Sequence, residues 1–339
     1  MKNQLLKPVY WMYTNYSHRR VIRNSRDPVS VPARVISIGN ITFGGTSKTP
    51  LTVKSGKKMA DDGKRVGIVY RGWRGRVDIE KRAPSLVSDG KKILMDWHES
   101  GDEALMVARE LIGWQIPVIV GRDRIRGAQI LIENYGVDTI LLDDGFQFRR
   151  LERDLDFVLV DALAPWGDYD GEFGLLREFP KSLRRADIVG ISHSEAVDED
   201  RLMGIREKIL ETGILNDQIC ELRTIPTGIT DLASGEKFSV DDLAGKKVGI
   251  IAGIGNPRSF QHTVRSSGAV PVHERFYMDH YPYRRRDIQK FSQDSLDQGA
   301  DMILTTSKDA IRLENFPDRI GLAVWILEID VELSSPVMI

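Results

Sequence analysis

The amino-acid sequence predicts an α/β fold, with one large parallel-sheet domain followed by a second, smaller α/β domain. Apolar runs rich in β-branched residues alternate with helical patterns through residues 35–191. Strand and helix in alternation indicate a parallel sheet that helices cover on both faces. The runs that we interpret as buried strands are Val35–Ile38, Arg65–Tyr70, Pro117–Val120, Thr139–Leu142, Phe157–Val160 and Ile188–Ile191.

Between these strands, apolar residues recur at the spacing of a helix, which places them on one face. Two such faces are formed by Leu105, Ala108 and Leu111, and by Ile125, Ala128, Ile132 and Tyr135. Each face is suited to pack on the predicted sheet.

The pattern loosens near residues 221–246, where polar and turn-forming residues predominate. Beyond them, Lys247–Ile251 and Met302–Thr305 again have the composition of buried strands. We therefore predict a first domain at residues 27–225 and a second at residues 226–339.

Composition excludes several classes of protein. The 339 residues are 41% hydrophobic and 29% charged, and the net charge of −1 gives no basic field for nucleic acid. One cysteine, Cys220, excludes an internal disulfide and fits a reducing compartment. No stretch reaches the roughly 18 apolar residues of a spanning helix, and we expect no secretory signal and no obligate protein partner.

Residues 1–26 have an unusual composition. Residues 4–16 are rich in aromatic side chains, and Arg19, Arg20, Arg23 and Arg26 follow them. Residues 1–34 contain seven Lys or Arg and one Asp. An apolar aromatic segment beside a basic one is typical of an interfacial helix on an anionic membrane surface. The alternative is a helix that packs on its own domain and exposes a basic face.

A glycine-rich loop follows the first predicted strand, ends in Lys48-Thr49-Pro50 and there enters a helical pattern. Strand, glycine loop, Lys-Thr and helix occur in this order in P-loop nucleotide-binding proteins. Backbone N–H groups of such a loop bind phosphate, the lysine neutralises it, and the Thr49 hydroxyl would hold Mg²⁺. The candidate phosphate-binding residues are Gly44, Gly45, Thr46, Ser47, Lys48 and Thr49. Thr42 and Ser47, however, stand where the strict motif has glycines.

Two acids, Asp143 and Asp144, end an apolar strand, which is where a P-loop enzyme places the acid that anchors Mg²⁺. Together with the loop they favour nucleotide binding over an ordinary strand-end turn. Residues 306–310 lack the spacing of a guanine-specifying motif, because Asp309 directly follows Lys308. We therefore expect ATP, within a P-loop NTPase-like fold.

With these motifs the sequence resembles the lipid A 4′-kinase (tetraacyldisaccharide 4′-kinase) family. The matching blocks are Ile36–Pro50, Arg65–Gly72, Gly101–Glu103, Leu142–Leu155, Leu175–Glu178, Ala252–Pro257, Asp279–Tyr281 and Leu304–Leu313. The resemblance implies transfer of the ATP γ-phosphate to the 4′-hydroxyl of a tetraacyldisaccharide 1-phosphate. It also implies a protein at the cytoplasmic face of the inner membrane.

Residue roles follow from the resemblance, position by position. Asp102 matches the family's base, which takes the proton from the sugar hydroxyl, and His280 matches the histidine paired with that base. Glu103, Asp143 and Asp144 are candidates for holding Mg²⁺, and they stay unranked. The candidate phosphate- or substrate-facing residues are Arg124 and Arg177.

Three positions depart from the family. Ser47 replaces the glycine before the lysine, Phe148 stands where the family usually has histidine, and Phe179 occupies a proline position. Because phenylalanine cannot donate, accept or hold a proton, the function of that histidine must be absent or supplied elsewhere. Two alternatives therefore stay open: a kinase of another membrane-borne or polyol acceptor, and a nucleotide- or lipid-binding descendant without turnover.

Overall fold

A computed structural model describes residues 7–23, 27–167, 176–314, 316 and 321–334. The chain forms two compact units, the first containing residues 1–223 and 331–339 and the second residues 224–330. The chain thus divides two residues before the predicted boundary, and residues from 331 onward belong to the first unit.

The first unit is built on a largely parallel sheet. Its strands are β1 (Arg34–Asn40), β2 (Val66–Tyr70), β3 (Ser85–Ser88), β4 (Val118–Val120), β5 (Thr139–Asp143), β6 (Leu155–Asp161) and β7 (Ile188–Ser192). Their order across the sheet is β7-β6-β1-β5-β2-β4-β3, and β3 alone among these strands runs antiparallel to its neighbour. The six predicted strands are confirmed; the short β3 has no counterpart among the predictions.

Helices join the strands of this sheet. They are α1 (Lys7–Arg23), α2 (Lys48–Asp61), α3 (Arg76–Ile79), α4 (Trp97–Ser100), α5 (Asp102–Leu111), α6 (Arg124–Tyr135) and α7 (Glu199–Leu210). Local chemistry fixes their ends: the Asp123 side chain caps α6 by accepting from Arg126 N–H, and Gly136 ends the helix at a φ of 63°. The central strands are buried on both faces, which explains why they are almost continuously apolar.

The second unit has a smaller sheet. Its strands are β8 (Ile219–Asp231), β9 (Lys237–Phe238), β10 (Lys247–Ala252), β11 (Val270–Phe276), β12 (Met302–Thr306) and β13 (Val324–Leu333), and its helices are α8 (Pro257–Ser266), α9 (Arg285–Asp297) and α10 (Ser307–Leu313). β8 begins in the first unit and continues into the second, where the order is β11-β10-β12-β13-β8. Residues 221–231, which the sequence marks as turn-rich, therefore lie in a strand.

Helix α1 packs on the first unit through one side. The Thr14 hydroxyl donates to the Leu176 carbonyl at 3.1 Å, and the His18 ring meets the Phe179 ring edge-on at 5.7 Å. Met12 and Tyr16 are about two-thirds exposed on the helix. Residues 1–6 and 24–26 of the predicted interfacial segment, and Leu175 of a matching block, lie outside the described residues. Within the described chain, no helix has the length and apolar character needed to cross a membrane.

Candidate active site

The glycine-rich loop that contains the candidate phosphate-binding residues 44–49, hereafter the phosphate loop, lies at the carboxyl edge of the first sheet. The two strand-end acids lie at the same edge. β1 and β5 are parallel neighbours, with Ile38 beside Asp143, so the loop that leaves β1 faces the residues that end β5. This edge is where open α/β sheets bind ligands. Sequence reasoning therefore located the edge, and the structure adds its contacts.

Side chains within the loop hold its shape. Asn40, the last residue of β1, donates its side-chain amide to the Thr46 hydroxyl at 3.1 Å. The Lys48 ammonium also donates to this hydroxyl, at 3.4 Å. Gly44 has a φ of 110°, a conformation that suits glycine. Gly45 is exposed, so its backbone is open to a ligand.

Ser47 adopts the left-handed conformation, with φ 58° and ψ 23°, directly before helix α2. A Cβ in this conformation costs on the order of 1–2 kcal/mol relative to glycine. The serine therefore introduces strain at the turn that begins helix α2.

Asp144 lies between two cations. Its carboxylate forms a short hydrogen bond with the Arg177 guanidinium and lies 3.7 Å from the Lys48 ammonium. Burial alone would raise the pKa of Asp144, but Arg177 and Lys48 outweigh this effect and hold the pKa well below its usual range. Burial lowers the pKa of Lys48, and Asp144 opposes it only in part. Asp144 is thus an anion held beside the lysine of the loop.

Asp143 has the opposite electrostatic character. Burial, followed by the negative charges of Asp144 and Glu103, raises the pKa of Asp143 to about 7. Its carboxylate accepts from the Thr52 hydroxyl on α2 at 2.9 Å. Burial and neighbouring negative charge thus disfavour the ionised form of Asp143.

The carboxylate and hydroxyl oxygens of Asp143, Asp144 and Thr49 are of the kind that Mg²⁺ binds. The described residues include no cluster of three or more His, Cys, Asp or Glu side chains arranged to hold a metal. Mg²⁺ commonly uses one or two carboxylates, with water and phosphate oxygens completing its shell. Asp143, whose pKa is raised by burial and by the charges of Asp144 and Glu103, is the carboxylate whose ionised form a bound divalent cation would stabilise. Thr49, in the first turn of α2, supplies the hydroxyl of the motif.

Arg124 is buried behind the two acids. Its guanidinium donates to the backbone carbonyls of Asp143 (3.2 Å) and Asp144 (2.9 Å), so it fixes the end of β5. The guanidinium also lies over the Phe148 ring, 5.2 Å from its centroid. Burial lowers the pKa of Arg124 to about 10, with Asp144 opposing this shift. Phe148, the residue at the family's histidine position, is therefore a packing partner of this arginine.

Asp102 begins helix α5 and is 4% exposed. Its carboxylate accepts from the Glu103 N–H at 2.9 Å, and Gly101 before it has a φ of 86°. A Cβ on Gly101 would lie 2.9 Å from the Trp73 carbonyl oxygen. Only glycine therefore accommodates both this backbone conformation and this close approach.

His280 belongs to the second unit, in a turn where its φ is 59°. Lys308 donates to Asp279 at 2.8 Å and lies 3.3 Å from His280 Nε2. Its pairing with Asp102 stays a prediction.

The structure reveals polar groups that sequence reasoning missed. Glu178 is fully buried; it accepts from Arg185 and Ser182, and Gln147 joins it to the carbonyl of Asn40. A second group, Ser47, His193 and Asp161, is linked by hydrogen bonds. Glu178 ends one of the blocks that match the family, so the sequence could have indicated it. His193 lies in none of these blocks.

Comparisons with known proteins find relatives of this chain. The family model described as tetraacyldisaccharide-1-P 4′-kinase matches residues 2–338. The chain is 35% identical over 338 residues to a tetraacyldisaccharide 4′-kinase of Halothermothrix orenii, covering 94% of this chain and 86% of that one. It is 38% identical over 313 residues to the enzyme of that name from Syntrophus aciditrophicus, covering 90% and 82%.

Among solved structures, the chain is similar to LpxK from Aquifex aeolicus, crystallised in complex with ATP. The TM-score is 0.71 at 24% identity, covering 98% of this chain and 95% of that one. At this identity the likeness establishes the fold, and the predicted α/β class with its P-loop is confirmed.

Proposed function

Because the chain belongs to the tetraacyldisaccharide-1-P 4′-kinase family, we propose that it transfers the ATP γ-phosphate to the 4′-hydroxyl of a tetraacyldisaccharide 1-phosphate in lipid A biosynthesis. The observation that carries this proposal is the placement of Lys48, Asp144 and Arg177 together at the carboxyl edge of the first sheet. Phosphoryl transfer depends on positioning and charge neutralisation, and cations beside a glycine loop supply both.

Each part of the site has a chemical task in this proposal. The loop backbone and Lys48 bind the transferring phosphate, while Asp144 holds Lys48 and Arg177 in place. Arg124 supports the acids through their backbone carbonyls. Mg²⁺, held by Thr49 and by Asp143, Asp144 or Glu103, would supply further neutralisation of phosphate charge when bound.

The proton of the sugar hydroxyl needs an acceptor, and we assign this task to Asp102, with His280 as its partner. Asp102 is a buried carboxylate at the start of α5, next to Glu103, whose charge also acts on Asp143. A positioned base contributes roughly 10²–10⁴-fold to such a reaction.

The test is a lipid kinase assay with purified protein, labelled ATP, Mg²⁺ and tetraacyldisaccharide 1-phosphate in mixed micelles. We expect label at the 4′-position of the lipid product, with none when the acceptor already has a 4′-phosphate. Label on another sugar or polyol, with none on this lipid, would show that the protein is a kinase of a different acceptor.

Ser47 and Phe148 favour a second candidate, a descendant that binds nucleotide without turnover. The first introduces strain into the loop and the second removes an imidazole from the site. Tight ATP binding by calorimetry, with no labelled product from any acceptor tested, would support this candidate over the kinase.

We also propose that α1 lies on an anionic membrane surface, at the cytoplasmic face of the inner membrane. Its exposed Met12, Tyr16 and Arg19 combine apolar and basic character away from the face that packs through Thr14. Sedimentation with anionic liposomes should fall in a Met12→Ser/Tyr16→Ser variant, with ATP affinity unchanged. Equal sedimentation of variant and wild type would reject this surface.

A further inference from the structure

Three side chains linked by hydrogen bonds connect the ends of β6 and β7 to the phosphate loop. The Ser47 hydroxyl lies 3.0 Å from His193 Nε2, and His193 Nδ1 lies 2.8 Å from Asp161 Oδ1. His193 and Asp161 are each 4% exposed. The roles proposed above for phosphate, metal and acceptor make no use of His193 or Asp161.

The fold brings these residues together at one edge. Asp161 is the last residue of β6, and His193 directly follows β7, its parallel neighbour, so both lie at the carboxyl edge that holds the phosphate loop. Asp161 Oδ1 also accepts from the Leu163 N–H at 3.0 Å, which fixes the carboxylate. The fixed carboxylate in turn fixes the orientation of the imidazole.

Burial makes this arrangement specific, because a buried imidazole and carboxylate are costly unless they are hydrogen-bonded to each other. Burial lowers the pKa of His193, but Asp161 outweighs it and holds the pKa above its ordinary value. Each ring nitrogen thus has one hydrogen-bond partner, the Asp161 carboxylate at Nδ1 and the Ser47 hydroxyl at Nε2.

The group meets the loop at Ser47, one of the two positions where the sequence departs from the glycines of the strict motif. A serine in the left-handed conformation is strained, and it has a hydroxyl that glycine lacks. We propose that His193 and Asp161 are positioning residues of the nucleotide site: they hold the Ser47 hydroxyl and so keep the phosphate loop in the left-handed turn that glycine would adopt unaided. This inference rests on the proposed nucleotide-binding function and extends it to residues outside the loop.

The inference predicts that the contribution of His193 depends on the residue at position 47. His193→Ala should weaken ATP binding about tenfold, since Ser47 loses the bond that holds its backbone. In a Ser47→Gly background, whatever its own affinity, adding His193→Ala should change the ATP affinity less than about twofold. KM for the lipid acceptor should be unchanged by His193→Ala.

The experiment measures the ATP dissociation constant by calorimetry for wild type, both single variants and the double variant. Ser194→Ala is the matched control, because its buried hydroxyl donates to the Leu222 carbonyl, and it should bind ATP like wild type. Ser47→Ala keeps the Cβ without the hydroxyl, so it should be as weak as His193→Ala.

Three results would overturn the inference: no loss of affinity in His193→Ala, an equal loss in both backgrounds, or wild-type affinity in Ser47→Ala. If His193→Ala does not fold, the Ser47→Ala result decides. Calorimetry also tests this inference independently of the kinase assignment. If the protein binds ATP but does not phosphorylate the lipid, only the kinase assignment is contradicted.

Discussion

Each unit contains a buried group of acidic and basic side chains, and the two groups differ in the partners of their carboxylates. In the second unit, Asp309 accepts from Gly253 N–H (3.0 Å), the Tyr283 hydroxyl (2.8 Å) and the Arg312 guanidinium. Its other oxygen accepts from the Thr306 hydroxyl at 2.6 Å. These four hydrogen bonds all join residues of the second unit.

In the first unit, the pKa values of the two acids at the end of β5 are shifted in opposite directions. Asp144 is held ionised by Arg177 and Lys48, whereas the pKa of Asp143 is raised to about 7 by burial and by Asp144 and Glu103. Pairs of buried acids with pKa values pushed apart are typical of functional sites. Partners for both carboxylate oxygens of Asp309 stabilise the second unit, whereas burial and neighbouring negative charge at Asp143 favour the binding of a cation there.

The largest effect should come from the first site. Lys48→Ala should reduce the rate of lipid phosphorylation about 10³-fold, because the ammonium acts on the transferring phosphate. The free energy of unfolding should change little, since Arg177 still pairs with Asp144. The control is Lys58→Ala, an exposed lysine on the same helix. Near-wild-type activity in Lys48→Ala would contradict the assignment of the phosphate loop.

Asp102→Asn should lower kcat roughly 10²–10⁴-fold while ATP still binds, because the amide cannot take the hydroxyl proton. If His280 works through Asp102, the Asp102→Asn/His280→Ala double variant should be scarcely slower than Asp102→Asn. Asp96→Asn, which alters the acid that caps the preceding helix, serves as control. Additive losses in the double variant would show that the two residues act independently.

How far each region could be predicted follows from distance along the chain. The phosphate loop could be predicted because strand, loop, Lys48 and helix are contiguous. The Ser47–His193 contact could not, because 146 residues separate its members and His193 belongs to no local pattern. In the second unit, β10 is buried and was predicted, whereas β11 contains His273, Glu274 and Arg275 and was not.

The hydrogen bonds of Asp309 in the second unit should contribute to stability. Asp309→Asn should lower the free energy of unfolding by about 3–5 kcal/mol, because it leaves the buried Arg312 charge uncompensated. Asp297→Asn, an exposed acid on α9, should change it by less than about 0.5 kcal/mol. Urea denaturation followed by circular dichroism measures both. Equal stabilities would mean that Asp309 is held in place without stabilising the unit.

The smallest effect is expected at Phe148, a packing residue at a position where the family resemblance implies histidine. Its ring lies under the Arg124 guanidinium and packs beside the apolar cluster that contains Val35 and Leu151. A protonated imidazole there would face a buried cation, and a neutral one would place a polar ring among apolar side chains. Phe148→His should therefore lower kcat roughly two- to tenfold, because a weaker cation–π contact loosens Arg124 and with it the end of β5. Phe148→Leu, which keeps the apolar volume without the ring, should show a loss of similar size. A rise in kcat for Phe148→His, with the fold intact by circular dichroism, would show instead that the site lacks a proton carrier.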